Sequence, residues 1–356
     1  MKILSLLVLL IVFGAQAQHA PFIDFNRYFR TFYKNSFRQL EFQPIRSFEG
    51  SDTYTVYLDY RGDFKYYDGE KVQTISNQSI TYKLSDGQLA WTIGTGLFCL
   101  SGDEKIMLTV FADRFEVTDS LIVYEDTRFN SLNYRYKGEN HQLVQSTGDL
   151  QFPLKLGDNT IVYKDNGDFI KFLWRGTSYD YNVYTKAINF ECGMDVICFN
   201  DPLNQSFAVF DKGQILDLES MFVKKYKAGR GFVAYEDQQG NLWYYKNGEK
   251  QQISNFPSFW EVKDDLLVWG ENSIVYAFYE GEKKQLANYT PADYKIKNST
   301  IAFRNSMGGV SVFSQGKLEQ VTTQTQSSYE IYGNTVLVEL FNKSFVVYSD
   351  GQKFEL

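Results

Sequence analysis

Asp59, Asp126, Asp165, Asp201, Asp237 and Glu271 each stand two positions beyond an aromatic residue that closes a hydrophobic run. Paired carboxylates can hydrolyse a glycoside, one as acid and the other as base or nucleophile. Asp is also the residue that opens turns, because its side chain accepts hydrogen bonds from nearby backbone N–H groups. A catalytic acid tends to be unique, whereas these recur through the chain, so the turn reading is the expected one. Only two histidines are present, His19 and His141. His19 lies beside a predicted cleavage point and is expected to be mobile. His141, in "KGENHQLV", follows a turn glycine and is expected on the surface of an outer strand. Neither makes a convincing base for a Ser–His–Asp or Cys–His arrangement.

The three cysteines, Cys99, Cys192 and Cys198, have no zinc-ligand spacing. Cys192 and Cys198 flank "CGMDVIC" and could bridge in an oxidising compartment, but buried thiols on neighbouring strands are the expected state. "DNGD" at Asp165 to Asp168 lacks the rest of a calcium loop, and no glycine-rich phosphate loop is present. The chain is therefore expected to be no enzyme and to need no cofactor or metal. Trp91 and Trp269 are expected in the packing between repeats, while Trp174, Trp243 and Trp260 could be exposed for stacking on sugars.

The elements that carry these residues repeat. The aromatic or aliphatic anchor falls at Tyr57, Trp91, Tyr124, Tyr163, Phe199, Tyr235, Trp269, Phe303 and Val338, spaced by 34, 33, 39, 36, 36, 34, 34 and 35 residues. A turn glycine follows each anchor by 11 to 14 residues, at Gly69, Gly102, Gly138, Gly176, Gly213, Gly248, Gly281, Gly316 and Gly351. Two markers held in one phase through nine copies identify a repeat architecture. Each unit divides into four short strands rich in Val, Ile, Tyr and Phe, with turn signals such as Asp86-Gly87 and Asn298-Ser299 in the first hairpin. Four-stranded units in tandem predict an all-β fold, a single β-propeller with repeats of about 35 residues and eight or nine blades. Two smaller propellers packed together are a further alternative.

Aromatic residues make up 17% of the 356-residue chain, which suits half-buried pleated sheets. A mean hydropathy of −0.34 argues against a membrane-embedded body. The net charge of −7 makes nucleic acid and anionic membranes poor partners. Residues 1–17 read as a signal peptide: Lys2, an apolar run from Ile3 to Phe13, then Ala15-Gln16-Ala17 before a cut ahead of Gln18. That run is about 16 Å long as a helix, against roughly 30 Å of hydrocarbon. Export with no membrane insertion after cleavage is expected.

The remaining segment, 18–42, precedes a propeller expected over 43–356. Asp24 is a plausible helix N-cap, and Phe25, Tyr28, Phe29 and Phe32 share one helical face. Arg27, Arg30, Lys34 and Arg38 add a basic side. A helical arm is expected, packed on the propeller or binding a protein partner through Phe25, Arg27, Tyr28, Arg30 and Phe32. It is also a candidate for closing the ring.

An exported propeller with the leader ending Ala15-Gln16-Ala17-Gln18 and the aromatic arm Phe22 to Phe42 resembles proteins of the Bacteroidota envelope. In class, size and compartment it is similar to the plug subunit of the type 9 secretion translocon. The resemblance implies a periplasmic protein that binds a giant outer-membrane pore and closes its periplasmic side. It carries no site residues with it.

Overall fold

The computed structural model describes residues 18–356 apart from 79, 182 and 185–187. The expected signal peptide lies outside the described residues. Ten antiparallel sheets follow one another, nine of four strands and one of three. The propeller therefore has ten blades, not the eight or nine expected, and the extra blade comes from the supposed arm.

Strands β1 (Ala20–Ile23), β2 (Phe29–Tyr33) and β3 (Ser36–Glu41) form that three-stranded blade. The expected helix over Phe25 to Phe32 is absent; Phe29 and Phe32 are buried strand residues. The second blade is complete: β4 (Ser47–Gly50), β5 (Thr55–Leu58), β6 (Phe64–Tyr67) and β7 (Val72–Ser76), paired in chain order. Eight further blades repeat this order up to Gln352–Glu355.

Burial explains why the anchors are so regular. Tyr57, Trp91, Tyr124, Tyr163, Phe199, Tyr235, Trp269, Phe303 and Val338 all lie in the second strand of a blade and are all buried. Second strands are sandwiched between neighbouring blades, so they read as continuous apolar runs rather than alternating ones. Leu121–Asp126, for example, is buried at every residue. Fully burying each such large apolar side chain stabilises the fold by about 1.5–3 kcal/mol. Separate hydrophobic clusters then cement blade to blade around the ring, as where Val162 and Phe172 meet Phe199 and Phe210.

The first blade lacks its innermost strand, and two observations show which one is missing. In blade two the third and outermost strands slip register by a bulge at Phe64/Lys65; β2 and β3 do the same at Phe29/Arg30. In blade two, Asp59 opens the link between second and third strands and Lys65 pairs with it at 3.0 Å. In blade one, Asp24 and Arg30 occupy the same places at 2.6 Å. So β1 is a second strand, and Gln18 and His19 stand where the first hairpin turn belongs.

This blade joins the ends of the ring. Phe22, Phe32 and Ala20 pack with Leu337, Phe345 and Val347 of the tenth blade. Phe32 and Phe354 have ring centroids 5.0 Å apart. The Tyr332 hydroxyl donates to the Pro21 carbonyl at 3.2 Å. Closure works by packing of blades, without exchange of strands.

Candidate functional site: the two faces of the ring

Up-and-down strand order puts the links between second and third strands on the same face as the links between blades. The hairpin turns lie on the opposite face. The repeated carboxylates sit on the first of these faces, where they are occupied in holding turns. Asp59 Oδ1 accepts from the N–H groups of Arg61, Gly62 and Asp63 at 2.9 to 3.0 Å. Asp165 Oδ1 accepts from Gly167 and Phe169 in the "DNGD" turn. Lys65 beside Asp59, with these N–H groups, outweighs the effect of burial and holds its carboxyl below the usual range.

The same face carries most of the exposed large apolar residues of the molecule. Phe42, Phe256, Phe341 and Met307 are 70–73% exposed and Phe25 is 67% exposed. All stand in the links. Among the described residues, no large apolar side chain is exposed in the hairpin turns of the other face. Arginines lie among the aromatics: Arg61 covers Tyr60, and Arg128 lies 5.7 Å from the Phe111 centroid and 5.3 Å from that of Phe129.

The expected partner-binding residues divide between surface and interior. Phe25 and Arg27 are exposed on this apolar face. Tyr28 packs edge-on against Phe42 at 5.6 Å. Arg30 is held by Asp24, and Phe32 is a core residue. They do not form one patch, because Phe25, Arg27 and Tyr28 stand in the link before β2 while Arg30 and Phe32 lie within the strand, one tied to Asp24 and the other in the core.

The other face is acidic at its centre. Its first-hairpin turns ring the mouth of a central cavity of about 620 Å³ lined by the innermost strands. Adjacent turns lock laterally: Asp86 N–H donates to Asp119 Oδ1 at 2.9 Å, and Asp119 N–H to Asp158 Oδ1 at 2.8 Å. Two cations reach across the ring. Arg230 Nη2 lies 3.4 Å from Asp119 Oδ2, and Lys297 Nζ lies 2.7 Å from Asp86 Oδ1. A second cavity of about 400 Å³ opens at this mouth, bordered by His19, Tyr33, Asp52, Asp86, Asp119 and Arg230, among others. Burial and the neighbouring Asp86 push the Asp52 carboxyl up to about 7, and burial and Asp158 push Asp119 up to about 6. Asp86, Asp119 and Asp158 are legible in the sequence as turn residues. Their convergence is visible only once the repeats are bent into a ring.

The histidines differ from expectation in one case. His19 is not mobile: it is 1% exposed, lies tilted against Tyr33 with ring centroids 4.4 Å apart, and shares a 3.3 Å hydrogen bond with Thr55 through Nδ1. Burial pushes its ring down to about 4. His141 lies over Tyr134 at 5.0 Å, in the outermost strand Glu139–Gln145. Cys192 and Cys198 are free thiols, opposite Ile197 and Glu191 respectively. Trp91, Trp260 and Trp269 are buried, and Trp174 and Trp243 donate to Asp195 and Asp237 at 2.9 and 2.8 Å.

Ten sheets in one ring agree with comparison at the sequence level, where the model of the 10-bladed beta propeller domain matches residues 14–354. The chain belongs to that family. No curated protein matches the chain. Among solved structures, the propeller is similar to the computationally designed Ika8 protein, with 14% identity over 85% of this chain and 95% of that one and a TM-score of 0.37. It is also similar to Hsv2 of Kluyveromyces lactis, with 8% identity over 77% of this chain and 96% of that one and a TM-score of 0.33.

Proposed function

We propose that this ten-bladed propeller is a non-enzymatic protein-interaction module of the periplasm, and that it closes the periplasmic side of a type 9 secretion pore in the outer membrane. The observation that carries the interaction reading is the unequal pair of faces. One face presents exposed Phe, Tyr and Met tips interleaved with Arg27, Arg46, Arg61 and Arg128; the other presents acidic turns. Aromatic, Met and Arg residues are enriched in protein interfaces. Exposed apolar side chains gathered on one face of the ring mark such a surface. The leader before Gln18 supports the compartment, and the resemblance in class and size to the translocon plug supports the pore as partner. The buried tryptophans disfavour a sugar-binding reading.

The test replaces Phe25, Phe256 and Phe341 together by Ser and purifies wild type and variant from membranes in mild detergent. Wild type is expected to recover the outer-membrane pore. The triple variant is expected to lose it at an unchanged thermal midpoint, since each replaced side chain is exposed. Equal recovery by both proteins would remove the apolar face from the reading. Recovery of no pore by wild type would remove the pore.

A further inference from the structure

Blade one has a gap where its innermost strand belongs, and the nine innermost strands that are present define what would fill it. Eight residues before each anchor, from blade two to blade ten, these strands carry Glu49, Lys83, Glu116, Lys155, Glu191, Lys227, Glu261, Lys295 and Glu330. The sign alternates at every step. The alternation forms a lateral ladder: Lys83, Lys155 and Lys295 meet the glutamate of the following blade, Glu116, Glu191 and Glu330, at 2.6, 3.3 and 2.5 Å. In a ring of ten blades the vacant position falls between Glu330 and Glu49, so only a cation there completes the alternation. One residue earlier, eight of the nine positions are aromatic, as at Phe48, Tyr82 and Tyr329, with Leu154 the exception. Tyr82 stacks on Phe64 of the preceding blade with ring centroids 4.7 Å apart, and Phe48 lies 5.3 Å from Phe29 in the same way. Phe345 is the matching residue of blade ten, seven positions after its anchor as Phe64 and Phe29 are after Tyr57 and Phe22.

The place is open. A cleft of about 240 Å³ is bordered by Pro21, Ile23, Phe48, Glu330, Tyr332 and Phe345, among others. It lies along the unpaired edge of β1, between the innermost strands of blades two and ten. Asp24 N–H donates to the Tyr28 carbonyl at 3.0 Å, so by alternation Ile23 turns its own N–H and C=O away from β2 and toward the gap. Pro21 has no N–H to give, and its carbonyl accepts from Tyr332, so the main-chain ladder on offer is short and side chains must carry the recognition. We propose that an extended segment of a partner protein enters this gap as the fourth strand of blade one. Its aromatic side chain fills the cleft against Phe345, and a lysine or arginine directly after it lies between Glu330 and Glu49. A strand added to a sheet edge draws affinity from the main chain and specificity from pockets for alternate side chains. The leader of the chain is the rival occupant: Phe13 falls nine residues before Phe22, at the aromatic position, but Gly14 stands where the cation belongs, and the expected cut ahead of Gln18 removes both. The proposal rests on that cut and on the protein-interaction reading. It uses the inner wall of the ring at its junction rather than the apolar face, and peptide binding is measured without the pore, so either reading can fail without the other.

Isothermal titration of the chain beginning at Gln18 with an N-acetylated, C-amidated peptide of Ala292 to Asn298, the Tyr-Lys innermost strand of blade nine, tests the site. Saturable one-to-one binding is expected. Tyr294→Ser or Lys295→Glu in the peptide should each weaken it by about tenfold or more, the weight of an anchoring aromatic or of one charge-assisted hydrogen bond. Glu49→Lys in the protein should weaken binding of the original peptide and restore binding of the Lys295→Glu peptide, a rescue that general loss of structure would not produce. Glu49 is exposed, and circular dichroism with thermal midpoints establishes that its variant is folded. The intact mass of the protein isolated from the cell envelope should place its first residue at Gln18. A mature chain that retains residues 12–17 would give the strand to the leader and overturn the proposal. So would the absence of saturable binding, or a folded Glu49→Lys variant without rescue. Equal binding of the Tyr294→Ser peptide, which keeps both lysines, would reduce the effect to attraction by the acidic centre and overturn it as well.

Discussion

At the scale of single residues, Asp52 carries a carboxyl held well above the ordinary carboxylate range. Its carboxyl is pushed from 3.8 up to about 7 by burial and then by Asp86. A folded-state pKa raised above the unfolded value means that the fold holds the proton more tightly. The stabilisation from this proton is therefore full below about pH 4 and is lost as pH rises through about 7. Asp119, pushed up to about 6, acts in the same sense. His19 acts oppositely: its ring, held at about 4 by burial, contributes above pH 6.5 and loses that contribution as pH falls through about 4. Asp52→Asn is then expected to raise the thermal midpoint at pH 8 and to leave it nearly unchanged at pH 4. The gain at pH 8 should be at most about 4 kcal/mol, the equivalent of the whole shift from 3.8 to about 7. A variant with the same midpoint as wild type at both pH values would show that the carboxylate is not penalised.

At the scale of elements, the first blade shows how a repeat can be legible and still be missed. Phe22 stands 35 residues before Tyr57, and Asp24 follows Phe22 by two. The anchor and the acid that follows it were in phase. The other marker of the repeat, the turn glycine, is replaced by Asn35, which adopts the same left-handed conformation at φ 58. Four aromatics in a helical spacing then competed with the strand pattern, and packing against the tenth blade decided in favour of strands. The nine other blades were legible because their glycines do what the phase implies: all nine have positive φ. The mouth was not legible, since periodic spacing says which residues are equivalent but not how far apart they lie across a ring. Gly248→Ala should cost about 1 kcal/mol from the strained φ alone, because the space beyond its Cβ is open. Gly69→Ala should cost more, since the added methyl meets the Tyr33 ring of the first blade. Chemical denaturation of the two variants compares them directly, and an equal or smaller cost at Gly69 would contradict the packing of blade one on blade two.

At the scale of the whole molecule, closure rests on a blade that is one strand short. A ring without strand exchange is held at its junction by side-chain packing, and here the junction is an aromatic cluster: Phe22 against Phe345 at 4.5 Å, and Phe32 between Phe37 and Phe354. Segment 18–42 is therefore a wedge between the second and tenth blades rather than an appendage. If it were only a partner-binding arm, its removal would leave a stable propeller. As a wedge, its loss exposes the flanks of both neighbouring blades, and the chain from residue 43 onward is expected to aggregate or to melt far below wild type. Point substitutions separate the two roles more finely. Phe32→Ala should cost about 3–5 kcal/mol, the range for emptying a packed aromatic site. Phe25→Ala, seven residues earlier and exposed, should stay within about 0.5 kcal/mol. Equilibrium unfolding of both variants decides between the roles. Similar small costs would mean that the first blade rests on the ring without closing it; a large cost at Phe32 alone places the junction among the main contributors to the stability of the molecule.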